Sequence, residues 1–173
     1  MKRSTREFCI ILIAATTLAA SVAPAAPAPR VTPSAIADLP QPLPLPYDET
    51  ADGMVDVARG KALARRQHKK LLIDLGGNWC ADCRVLAGVM ALPELKPFLD
   101  KHFVIVKVNI GRYDKNGGVA AHYGFGERLK GVPALLIVDP VHDRLINGDR
   151  LFALTDARHM TPQGLADWLA QWT

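Results

Sequence analysis

Three short apolar runs set the limits on what this chain can fold into. Leu71-Leu-Ile-Asp-Leu75, Phe103-Val-Ile-Val-Lys-Val-Asn-Ile110 and Ala134-Leu-Leu-Ile-Val138 read as buried strands. The first ends at Gly76-Gly77 and the third follows Gly131-Val132-Pro133, the turn-forming boundaries that such strands need. Helical patterns stand between and around them. Val55, Ala58, Ala62 and Leu63 fall at helical spacing up to His68, against the low propensity of Gly60. A second helix is expected to begin near Cys80, with Val85, Leu86, Val89 and Met90 on its inner side. Pro93 and Pro97 then demand a kink or a restart. Ala120 to Tyr123 suggests a brief helix, and Arg144-Leu-Ile-Asn147 a return against the third strand. Thr161-Pro162 opens a last helix as N-cap and first helical residue, with Leu165, Trp168, Leu169 and Trp172 as its apolar stripe. This order implies an α/β fold, a central mixed sheet flanked by helices.

The chain has 173 residues, 49% of them hydrophobic and 22% charged, enough for one domain with a real core plus an extension. The extension is N-terminal. Lys2, Arg3 and Arg6 precede an apolar run from Phe8 to about Ala20 and then small residues, so 1–25 reads as an export signal, with an uncleaved membrane anchor as the alternative. Residues 26–50 read as a Pro-rich linker, since eight prolines fall between 23 and 46 and favour an extended, semi-rigid spacer. The domain is expected over 51–173. Export implies a periplasmic location, or an inner-membrane one if the signal stays. Formal net charge is +4, but the first seven residues supply +2 of it, and no basic cluster is dense enough to argue for nucleic acid.

Cys9 lies inside the signal, which leaves Cys80 and Cys83 to pair with each other, with a metal, or with a partner's cysteine. Two thiols at i and i+3 where a helix starts lie close enough to join. Unpaired N–H groups and the positive end of the helix dipole favour a thiolate at Cys80. Cys80 is then the attacking sulfur and Cys83 the resolving one. Two alternatives remain open: a structural bridge, which so small a loop rewards by only about 2 kcal/mol, and a metal site, for which no histidine stands near the pair in sequence.

The run Leu71 to Cys83, with Trp79 just before the first cysteine, resembles the active-site strand and helix start of thioredoxins. Val104 to Ile110 resembles the next strand, and Tyr123-Gly124 followed by Gly131-Val132-Pro133 resembles the approach to that family's cis-proline. Together they span 51 to 173, closest to small exported bacterial members with a W-C-x-D-C site. The resemblance implies a thioredoxin-like fold, with Asp74 as a buried proton relay to the resolving cysteine and Lys107 as its partner. It also implies a cis Pro133 that lets the Val132 backbone hold a substrate segment, with Trp79 beside it. A charge inside an apolar strand is costly unless paired, which independently favours an Asp74–Lys107 pair over surface-facing strand ends.

There are departures. Ala81-Asp82 replaces the usual glycine-proline and tunes the pair, Gly76 stands where a tryptophan is usual, and Gly126-Glu-Arg-Leu129 lengthens the loop before Pro133. Asp82 is expected to disfavour a Cys80 thiolate and so to favour a reductant. The function implied is a periplasmic thiol:disulfide oxidoreductase, monomeric, acting on protein thiols and disulfides and re-reduced by a membrane electron donor. It would carry no metal and no cofactor beyond its Cys80–Cys83 disulfide. The rival is a non-catalytic metallochaperone or peptide-binding module that uses the same groove. Arg112, Tyr113 and His122 are further candidates for lining it.

Overall fold

The computed structural model describes residues 25–126 and 128–173. Cys9 and the expected signal, apart from its last residue, lie outside the described residues. The order is α1 (Gly53–Gln67), β1 (Lys70–Gly76), α2 (Ala81–Met90), α3 (Lys96–His102), β2 (Phe103–Asn109), α4 (Gly117–His122), β3 (Ala134–Asp139), β4 (Arg144–Leu145) and α5 (Pro162–Ala170).

Local chemistry sets the helix ends. The Asp52 carboxylate accepts the N–H groups of Met54 and Val55 and starts α1, and Thr161 caps α5 through the Gly164 N–H. Pro97 falls in the first turn of α3, where a missing N–H removes no helical bond, so the chain after α2 restarts. Gly60 costs α1 propensity but allows close approach: a Cβ there would collide with Val106 and lie 3.2 Å from Leu71.

The sheet order is β2-β1-β3-β4, with β1 and β2 parallel and the other two pairs antiparallel. Leu72, Leu135 and Ile137 face Val85, Leu86 and Val89 of α2, Leu99 of α3, and Leu165, Trp168 and Leu169 of α5. Leu71, Ile73, Leu75, Leu136 and Val138 face Val57 and Ala64 of α1 and Val119 and Ala120 of α4. Both faces of β1 are therefore covered, which is why its sequence does not alternate. Beyond β4 the buried Asn147 continues the edge pairing with its side chain, accepting the Ile137 N–H and donating to the Leu135 carbonyl, both at 2.8 Å.

Residues 26–50 differ from the spacer expected of them. They form a belt against the α2–α5 side of the domain, extended except for a short 3₁₀ turn at Ile36–Asp38. Leu39 and Tyr47 are each only 2% exposed, whereas Leu45 between them is 64% exposed. Arg84 of α2 donates to the carbonyls of Leu43 (3.0 Å) and Pro44 (3.3 Å). The Asn78 side chain accepts the Tyr47 N–H at 3.1 Å and donates to its carbonyl at 2.9 Å. A Cβ on Gly88 would lie 2.9 Å from Leu43, so α2 is trimmed where the belt crosses it. The prolines do keep the segment extended, but the apolar residues among them bury one side of it. The folded unit thus begins well before residue 51.

If the belt belongs to the core, Leu39→Ala is expected to destabilise by about 2–4 kcal/mol in urea unfolding, while Leu45→Ala stays within about 0.5 kcal/mol. Equal, small effects at both positions would show a belt that is not part of the fold.

Candidate active site

Because β1 and β3 are antiparallel, with Leu75 opposite Ala134, the loop leaving β1 and the loop entering β3 meet at one end of these two inner strands. The first is Gly77-Asn78-Trp79, which turns the chain so that Cys80 caps α2. The Cys83 N–H donates to Cys80 Sγ at 3.1 Å, a bond that stabilises charge on that sulfur. Cys80 and Cys83 are disulfide-bonded, their Cα atoms 5.3 Å apart. Cys80 is 6% exposed and Cys83 fully buried, so of the two only Cys80 keeps any contact with the surface. From the second loop comes the Val132–Pro133 peptide bond, which is cis, and the Val132 carbonyl lies 3.7 Å from Cys80 Sγ.

Beneath the pair, Asp74 is fully buried on β1. The Tyr47 hydroxyl donates to its Oδ1 at 2.9 Å, while Oδ2 has no hydrogen-bond partner among the described residues. Burial pushes the Asp74 carboxyl up to about 6, with the Lys107 charge and the Tyr47 bond pulling the other way. Burial, and then the charge of Asp74, raises Tyr47 and keeps its hydroxyl protonated.

Residues 52–140 match the family described as thioredoxin-like. The chain belongs to that family. It is 32% identical over 69 residues to the thioredoxin of Buchnera aphidicola subsp. Baizongia pistaciae (strain Bp), a match covering 40% of this chain and 55% of that one. The chain thus spans about half the length of that curated relative. The crystal structure of a disulphide isomerase from Xylella fastidiosa Temecula1 is also similar, with a TM-score of 0.68 and 34% identity over 75% of this chain and 98% of that chain.

Several features of this thioredoxin-like chain differ from expectation. Lys107 stands opposite Asp74 in the parallel register but closes no ion pair with it; burial pulls the ammonium down, with Asp74 acting against that. The direct partner of Asp74 is Tyr47, from the belt. Gly76 makes this contact possible: a Cβ there would collide with the Tyr47 hydroxyl and lie 2.9 Å from Cys83 Sγ. Tyr47 therefore fills space left by the missing side chain. Nothing in residues 26–50 marked it, and the one available clue was Gly76 itself, standing where the resemblance to thioredoxins implies a tryptophan.

Asp82 also departs from its expected part. Its Oδ1 accepts the Arg158 backbone N–H at 2.9 Å and lies 3.2 Å from that residue's guanidinium, so its charge is answered there and acts less on Cys80. Trp79 is 40% exposed beside the cysteines, its ring under the Arg112 guanidinium at 4.8 Å and 5.8 Å from Tyr113. Arg112 and Tyr113 are thus neighbours of the Trp79 ring. His122 is not, being engaged with Asp143 at 3.0 Å. Ala81 takes the first position of α2 after the cap. Among the described residues no three His, Cys, Asp or Glu side chains come together as metal ligands would.

The Asp74 carboxyl gives the fold a pH signature. The folded chain keeps its proton up to pH about 6 and the unfolded chain releases it near 3.8, so stability falls as pH rises through that window and is level above it. Asp74→Asn removes this titration and is expected to gain about 2 kcal/mol over the parent between pH ~4 and pH ~6 in urea unfolding of the oxidised protein. A difference between the two that is independent of pH would refute the buried carboxyl's part.

Proposed function

We propose that this chain exchanges disulfides with protein partners, and that it acts as a reductant in the periplasm. The observation that carries the reading is the bonded cysteine pair at the tip of α2, with Cys80 the less buried of the two and the Val132 carbonyl beside it. The disulphide isomerase and thioredoxin likenesses support the same class of chemistry.

In the reducing direction, the Cys80 thiolate attacks a sulfur of the partner's disulfide. A mixed disulfide forms and one partner thiolate leaves. Cys83 then loses its proton and attacks Cys80 Sγ. The Cys80–Cys83 bond forms, the mixed disulfide breaks, and the second partner sulfur leaves, so two electrons have passed to the partner. The cysteine pair is itself the redox group. The Val132 backbone beside the pair can hold a partner segment as an added strand, and Trp79 with Arg112 offers it a flat apolar and cationic wall.

The reductant reading is supported by the buried Asp74 carboxyl, which the Tyr47 hydroxyl links to the gap that Cys83 Sγ borders. A carboxylate there disfavours the thiolates and so favours the disulfide as end state. With Asp82 turned to Arg158, Asp74 carries more of that argument than Asp82 does. The periplasmic location is supported by the basic, then apolar, then small-residue order of residues 1–25, and it implies a membrane-bound source of electrons.

Cys80→Ser is expected to abolish reduction of a protein disulfide such as insulin's, and Cys83→Ser to trap covalent mixed disulfides that dithiothreitol releases. Retained turnover in Cys80→Ser would refute the assignment.

A further inference from the structure

The exchange reaction proposed above needs the Cys83 proton removed at a site closed to water. The geometry points to Tyr47 as the positioning residue for that step: its hydroxyl occupies Asp74 Oδ1 and leaves Oδ2 as the oxygen that receives the proton. Tyr47 arrives from the belt, outside the 52–140 region that matches the family, and is 2% exposed. It is held from two sides. Asn78, in the turn that delivers Cys80, clamps its backbone N–H and carbonyl, and the bare Gly76 admits its ring. The same gap over Gly76 is bounded by Cys83 Sγ, so sulfur and hydroxyl border one small volume and the hydroxyl carries on to the carboxylate 2.9 Å away.

In the resolving step the Cys83 S–H bond breaks and its proton passes to Asp74 Oδ2. The freed electron pair forms the Cys83–Cys80 bond. The bond from Cys80 to the partner breaks, the partner leaves as thiolate with that bond's pair, and the proton follows to it or to water. A carboxylate with both oxygens bonded would be a weaker acceptor. One with neither bonded would be free to rotate and, being fully buried, harder to keep charged. One donor on Oδ1 satisfies both needs.

The groups facing Asp74 are few. Tyr47 comes from the belt and Lys107 from β2, β3 places Leu135 opposite, and Cys83 of α2 borders the gap over Gly76 that the Tyr47 hydroxyl fills. A donated hydrogen bond favours the charged carboxylate, so its loss moves the proton-accepting limb of the resolving step to higher pH.

The test uses the full reduced chain and a chromogenic aryl disulfide. The first aryl thiolate released reports Cys80 attack, and the second reports resolution by Cys83. In Tyr47→Phe, which keeps the ring, the pH midpoint of the second release is expected to rise by about one unit relative to the first. In an Asp74→Asn background the same substitution is expected to add no shift. An unchanged midpoint in Tyr47→Phe, or an equal shift in the Asp74→Asn background, overturns the inference while leaving the exchange reaction standing. A parent chain that releases no aryl thiolate overturns the exchange reading, and this inference with it.

Discussion

A methyl group at Gly76 would be enough to separate three parts of this molecule. The glycine ends the central strand at the point where the belt's Tyr47 and the inner sulfur of the cysteine pair converge, and a side chain there would run into both. Close-packed interiors relieve such a clash only by moving backbone or leaving rotamer minima, at a cost of about 1–3 kcal/mol. Left bare, the position lets an aromatic ring from a remote segment reach a carboxylate inside the sheet. The buried charge gains a hydrogen bond, the belt gains an anchor, and the cysteine loop gains a wall on its inner side.

The placement of the redox pair follows from strand direction. Antiparallel pairing of β1 with β3 brings the end of one strand beside the start of the other, so a helix tip and a cis-proline loop arrive together without long connections. The outer sulfur receives an N–H from the first turn of α2, and the inner one is sealed among apolar side chains and the Tyr47 ring. The same asymmetry separates attacking from resolving sulfur.

The belt changes the meaning of the region before the domain. Its prolines forgo regular backbone pairing, so it is tied to the domain by the domain's side chains, among them Arg84 on α2, Asn78 in the cysteine turn and Gln163 on α5. Two of these elements also build or support the cysteine site. The family match starts at residue 52, after the belt, so Tyr47 enters the site from outside the matched residues.

The apolar runs, the capping residue Thr161 and the i,i+3 cysteines were enough to place strands, helices and the redox pair, because each depends on neighbours in sequence. Asp74 was identifiable as buried and in need of a partner, since an acid in the middle of an apolar strand is too costly to leave unanswered. Which partner it takes was decided in three dimensions. Lys107 holds the right register but does not close the contact, and Tyr47, 27 residues earlier, does. Arg158 answers Asp82 in the same way from 76 residues further on. Periodicity and propensity describe how a segment uses its own faces; a contact between remote segments depends on the volume left when all of them have packed, and that volume exists only in the folded chain.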